Sequence, residues 1–167
     1  MMPPHILRAA YDREAATYDE RFVAQQTPKI QALAAALPPI PPGPVVDLGA
    51  GTGLVSRITG RAMLAVDFSE RMLALGPKPA VVGDLRALPL ASDTFALAWC
   101  VTAIIGVDQV HAVLAEVARV LRPGGLLALS MLAHEPRSRI EAALISHQFE
   151  LLETLQIAPD VGWICRR

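Results

Sequence analysis

The stretch Val45-Val46-Asp47-Leu48-Gly49-Ala50-Gly51-Thr52-Gly53 runs an apolar segment straight into glycines at alternate positions. Glycine permits a sharp backbone turn and leaves room for a ligand where a Cβ would collide. A loop at the carboxyl end of a first strand is also where open α/β sheets bind their ligands. The dinucleotide-binding spacing G-x-G-x-x-G is not met, because position 54 is Leu54. Two more carboxylates follow apolar runs. In Ala65-Val66-Asp67-Phe68-Ser69, Asp67 stands where a carboxylate can accept from both hydroxyls of a ribose, and Gly83-Asp84-Leu85-Arg86 follows a third run. Nucleophile–base chemistry is poorly represented. Cys100 and Cys165 are isolated and read as reduced core thiols, and His5, His111, His134 and His147 are dispersed. No cysteine or histidine spacing suits zinc, so no metal is expected.

These residues need strand ends to hold them. Val45–Leu48, Ala62–Val66, Ala80–Val82, Phe95–Val101 and Leu126–Met131 read as strands, with a helix after Asp67 that Ser69 caps. Val110, Val113, Leu114, Val117, Val120 and Leu121 share one helical face; Asp108 is the expected cap, and Pro123-Gly124-Gly125 stops the helix. Such alternation implies a parallel sheet covered on both faces by crossover helices. Phe149–Ile157 and Val161–Cys165, separated by Ala158-Pro159-Asp160, read as a hairpin that ends the sheet with an antiparallel strand. The predicted fold is therefore a doubly wound, Rossmann-like, three-layer α/β/α domain with a mostly parallel sheet. Residues 1–37 form a leading helical segment, 38–44 a proline-rich linker and 45–167 the core of what is a single domain overall. Net charge is −1 with scattered basic residues, which disfavours nucleic acid. No apolar run approaches the ~20 residues of a membrane span, and the first residues lack a secretory pattern, so a cytoplasmic protein is expected.

On these residues the chain resembles class I S-adenosylmethionine-dependent methyltransferases, whose first motif carries an acid two positions before its first glycine, as Asp47 does. The resemblance implies that Asp67 binds the ribose hydroxyls and Asp84 the exocyclic amine of adenine. Further stretches resemble the group of this family that includes quinone-biosynthesis enzymes. Leu88-Pro89-Leu90-Ala91-Ser92-Asp93-Thr94-Phe95 and Arg119-Val120-Leu121-Arg122-Pro123-Gly124-Gly125 look like that group's entries into strands four and five, and Tyr11 to Asp19 like its amino-terminal helix. The implied cofactor residues are Tyr18, Asp47, Gly49, Ala50, Gly51, Gly53, Asp67, Phe68, Asp84, Leu85 and Val101. Two departures stand out. Val101-Thr102-Ala103-Ile104-Ile105-Gly106 replaces the group's histidine-bearing segment after strand four, and no insertion follows strand five to cover the substrate.

The resemblance implies transfer of a methyl group to a small-molecule substrate, with S-adenosyl-L-homocysteine as product. A sulfonium is an activated leaving group, so positioning and water exclusion supply much of the acceleration. No catalytic base is identified. Tyr11, Tyr18, Arg86 and Thr102 are the candidates near the methyl, and His5 to Leu37 the candidate lid. The alternative is a catalytically silent S-adenosylmethionine-binding partner subunit; a nicotinamide-dependent oxidoreductase lacks its third glycine. A homodimer is expected, since 53% of residues are hydrophobic and no cap covers the open face.

Overall fold

In a computed structural model, residues 4–104, 106, 109–132 and 136–167 are described, with the side chains of residues 4 and 5 excepted; Asp108 and His134 lie outside this set. The leading segment forms two helices, α1 (Pro4–Glu14) and α2 (Tyr18–Ala36), joined by a 3-10 turn at Ala15–Thr17. Residues 38–44, five of them proline, have neither helix nor strand. Thereafter strand and helix alternate: β1 (Val45–Leu48), α3 (Leu54–Thr59), β2 (Leu64–Asp67), α4 (Glu70–Leu75), β3 (Ala80–Val82), β4 (Phe95–Val101), α5 (Val110–Val120) and β5 (Leu121–Leu132). Then come α6 (Arg137–Ser146) and a closing hairpin, β6 (Glu150–Ile157) and β7 (Asp160–Arg166).

The sheet order is β3-β2-β1-β4-β5-β7-β6. Strands β1 to β5 pair in parallel, while β7 runs antiparallel between β5 and β6. Four strands differ in their bounds from the sequence reading, β6 and β7 by single residues at their ends and β2 and β5 by more. β2 begins later and runs through Asp67, which pairs with Val82. β5 begins at Leu121 and absorbs Pro123-Gly124-Gly125 as an irregularity, so that Leu121 faces Phe95 and Leu126 faces Leu97. Pro123 cannot donate to a ladder and Gly124 takes φ +77°. The backbone of Arg167 pairs with Gly124 and Gly125 instead.

Both faces of the sheet are covered. On one, α5 and α6 bury Val113, Leu114, Val117, Ile140 and Leu144 against Val46, Leu48, Cys100, Leu127 and Trp163. On the other, α2 buries Ile30 and Leu33 against Leu97, Trp99, Leu126 and Ile164. Helix α2 comes close enough to β7 that a Cβ at Gly162 would sit 3.0 Å from Leu33 Cδ2. The strand order reverses between β1 and β4, and a crevice opens at their carboxyl ends, as this topology requires.

Candidate functional site

The glycine loop leaves β1 and is pinned to β2, with the amides of Gly49 and Ala50 both donating to the Val66 carbonyl at 2.8 and 3.0 Å. Gly49, Gly51 and Gly53 have φ of +76°, +54° and +80°. Gly49 also faces the turn after β4: a Cβ there would lie 2.3 Å from Ala103 Cβ. Gly53, also named among the implied cofactor residues, stands apart from the other two glycines. It lines neither cavity described below and packs behind the loop, where a Cβ would meet Pro77 Cδ at 2.2 Å.

Asp67, at the end of β2, braces this loop. One carboxylate oxygen accepts from the Gly51 amide at 2.9 Å and the other from the Ser69 amide at 2.8 Å. A carboxylate has about four lone-pair sites, so capacity remains for ligand hydroxyls. Burial raises its pKa, while the amides of Ser69, Gly51 and Phe68 oppose that rise. Ser69 caps α4 through the Met72 amide, and its hydroxyl donates to Asp12 of α1 at 2.5 Å. Asp84 is half-exposed and paired with Arg86 at 2.6 Å, and hydrogen bonding from that guanidinium lowers its pKa. The turn that follows is fixed from α5: Glu116 accepts from the Leu88 amide at 2.6 Å, and Arg119 donates to the carbonyls of Leu88 and Leu90.

A cavity of ≈170 Å³ joins these loops. Gly49, Gly51, Asp67, Phe68, Asp84 and Leu85 line it from the sheet side. Val101 and Thr102 close it after β4, Arg86 lies at its edge, and Tyr11 and Tyr18 cover it from the leading helices. Tyr11 stacks edge-on against Phe68, with ring centres 5.6 Å apart. Burial raises the Tyr11 phenol and pushes Tyr18 up to about 12, so neither phenolate forms near neutral pH. The Thr102 hydroxyl, a candidate for acceptor contact, is occupied elsewhere. It donates to Asp160 Oδ2 at 2.7 Å, accepts from Lys29 Nζ at 3.3 Å and lies 3.2 Å from Ser130 Oγ.

A smaller cavity of ≈40 Å³ lies beneath the loop, lined by Gln26, Asp47, Gly49, Ala50 and Val101 among others. Asp47 Oδ2 and Gln26 Oε1 are both buried there without a hydrogen-bond partner among the described residues. Burial, and then the charge of Asp67, pushes Asp47 up to about 7. Two unpartnered acceptors beside a glycine loop suit an ammonium group, and the methionyl end of S-adenosylmethionine carries one. The residues present fit that cofactor: Asp67 and Asp84 line the large cavity, where they would meet ribose and adenine, and Asp47 with Gln26 would receive the amino group.

Sequence reasoning did not single out Gln26, Asp12, Asp19 or Thr52. Asp19 Oδ1 accepts from Thr52 at 2.5 Å and Asp19 Oδ2 from Arg57 at 2.5 Å, fastening α2 to the loop. The available signal was a polar Gln26 and Lys29 on the helical stripe that carries Ile30 and Leu33. Cys100 is fully buried and pushed up to about 12 by burial and Asp47. His111 and His147 pair with each other at 3.2 Å. Among the described residues no group of three or more His, Cys, Asp or Glu could hold a metal, and no helix is long and apolar enough to cross a membrane.

Residues 46–129 match the family model described as "Methyltransferase domain". Malonyl-[acyl-carrier protein] O-methyltransferase of Dechloromonas aromatica is 38% identical over 133 residues, covering 75% of this chain and 50% of the relative. The enzyme of the same name from Enterobacter lignolyticus is 34% identical over 153 residues, covering 85% and 61%. The chain thus spans between half and two thirds of the length of these relatives. The crystal structure of a S-adenosylmethionine-dependent methyltransferase from Thermotoga maritima superposes with a TM-score of 0.79 at 20% identity, covering 93% of this chain and 97% of that one. With the glycine loop, the strand-end carboxylates and the switch-point cavity in their places, the chain belongs to the class I S-adenosylmethionine-dependent methyltransferase family.

Proposed function

We propose that this chain transfers a methyl group from S-adenosylmethionine to a carboxylate oxygen of a small acyl acceptor. When bound, the cofactor supplies a methyl on a sulfonium, a leaving group that needs no further activation. The observation that carries the reading is the cavity wall formed by the segment after β4, with the two tyrosines that cover it. Among its described residues the Thr102 hydroxyl is saturated, Ala103 and Ile104 are apolar, and both tyrosines are held protonated. Such a wall is poorly equipped to take a proton from an acceptor. A carboxylate arrives already ionised: one of its oxygens forms the bond to the methyl carbon, the carbon–sulfur bond breaks toward sulfur, and no proton moves. The names of the relatives, O-methyltransferases of malonyl-[acyl-carrier protein], support the same class of acceptor. Helix α1, tied down through Asp12 and Tyr11, closes the cofactor side and excludes water.

The test is direct. The purified chain is incubated with S-adenosylmethionine and malonyl thioesters, alongside phenol and amine acceptors, and methyl ester and S-adenosylhomocysteine are measured by mass spectrometry. Ester formation is the expected result. Methylation confined to amines or phenols would overturn the reading.

A further inference from the structure

An ion pair lies behind Thr102, a residue that lines the large cavity. Lys29 Nζ and Asp160 Oδ2 are 3.0 Å apart, and their side chains are 1% and 0% exposed. Removing two charges from water is so unfavourable that an apolar pair of similar volume is commonly as stable or more stable. Stability alone therefore gives no reason to keep this pair. In contact with it stands a second unfavourable feature, Thr102, a β-branched residue held at φ +52°. Such conformations persist where the surroundings over-determine them, and they cluster at functional sites. Thr102 is over-determined from three elements. Its hydroxyl bonds Asp160 of β7 and Lys29 of α2, while its amide donates to the carbonyl and hydroxyl oxygens of Ser130 in β5.

What this conformation sets is the path of the next two residues. Thr102, Ala103 and Ile104 line the large cavity, and Ala103 is the residue that a Cβ on Gly49 would strike. The turn therefore packs directly on the glycine loop, and the two together line the cavity that would hold methyl donor and acceptor. A displacement of an ångström there alters the line of attack, and misplacement of that size lowers rates on the order of a hundredfold.

We propose that the Lys29–Asp160 ion pair is a positioning device. It holds Thr102 in the left-handed conformation and so fixes the Thr102–Ile104 turn as the acceptor wall. Lys29 and Asp160 touch neither donor nor acceptor; they act through Thr102. The kinetic half of this proposal rests on the methyl-transfer reading above, whereas its structural half does not.

Three variants separate positioning from mere stability. Lys29→Met combined with Asp160→Leu replaces the pair by apolar side chains, and it is expected to melt no lower than the wild type. Its kcat should nevertheless fall on the order of tenfold to a hundredfold, with the KM for S-adenosylmethionine within about threefold. The Thr102 amide should exchange with deuterium at least about tenfold faster, because its local opening is no longer opposed. Thr102→Val leaves the two charges paired and removes only the hydroxyl; it should reproduce the loss of kcat, and Thr102→Ser should recover most of it. Wild-type kcat in both the double variant and Thr102→Val would overturn the proposal, as would an unchanged Thr102 exchange rate in the double variant. If no acceptor is turned over even by the wild type, the methyl-transfer reading has failed, and amide exchange still decides the positioning claim.

Discussion

Replacing Asp47 by Asn should move stability and cofactor affinity in opposite directions. Burial, and then Asp67, pushes the Asp47 carboxyl from 3.8 up to about 7. The folded chain therefore holds this proton more tightly than the unfolded chain does. Its stabilising contribution is complete below the unfolded value and is lost as pH rises through the folded one. At full ionisation the loss corresponds to ~4 kcal/mol, of which ~2–3 kcal/mol falls between pH 5 and pH 8. Asn is uncharged throughout, and any penalty for its unpaired amide is independent of pH. Urea unfolding of the ligand-free proteins at pH 5 and pH 8 should therefore show the variant gaining ~2–3 kcal/mol on the wild type over that range. Titration with S-adenosylhomocysteine at pH 8 should show the reverse, a loss on the order of 1.5–3 kcal/mol from the missing charge-assisted contact to the amino group. Wild-type affinity should also rise with pH through about 7 as Asp47 ionises, and this dependence should flatten in the variant. A stability gap that ignores pH would refute the buried-carboxyl argument, and equal affinities would refute the amino-group assignment.

Gly49→Ala should lower the melting temperature and abolish S-adenosylhomocysteine binding, because its Cβ would fall 2.3 Å from Ala103 Cβ. Gly51→Ala meets nothing closer than Met72 Cε at 3.8 Å and should lose only the ~1–2 kcal/mol of its positive φ; similar melting of the two variants would contradict this packing. A chain beginning at Pro38 should show no cooperative melt. It loses Ile30 and Leu33, ~1.5–3 kcal/mol each, and uncovers Leu97, Trp99, Leu126 and Ile164 on the face of the sheet that α2 covers. Removal of residues 1–14 alone should leave a folded protein with weakened cofactor binding by calorimetry, and wild-type affinity there would remove α1 as a lid. Cys100, pushed up to about 12, should resist iodoacetamide in the folded chain at pH 8, and labelling at the rate of an exposed thiol would contradict its burial.

The strands and the loop were legible because their signals are local. Val45 to Gly53 carries both an apolar strand and the glycines that end it, and the Ala158-Pro159-Asp160 break announces the hairpin. Ser69 caps its helix as its position implied. The β5 boundary was missed because Pro123-Gly124-Gly125 has the chemistry of a helix stop, and only the distant Arg167 backbone allows it to continue a strand. Thr102 was legible as a candidate that the structure places on the cavity wall, but not as one whose hydroxyl is already engaged, since Lys29 and Asp160 reach it from opposite ends of the sequence. Asp47 and Gln26 meet beneath the loop for the same reason: only the packing of α2 on the sheet brings them together.

That packing also sets an order of assembly. Helix α2 is made before any strand of the sheet, yet its inner face rests on β7, the strand made last, with Leu33 against Gly162 and Lys29 against Asp160. During synthesis the part of α2's inner face that meets β7 stays uncovered until nearly the whole sheet has been delivered. Contacts so distant along the chain slow folding and prolong the exposure of sticky intermediates. A charged Lys29 within that face makes the waiting helix more soluble, and its burial becomes favourable only once Asp160 arrives, so that closure of the domain coincides with completion of the hairpin.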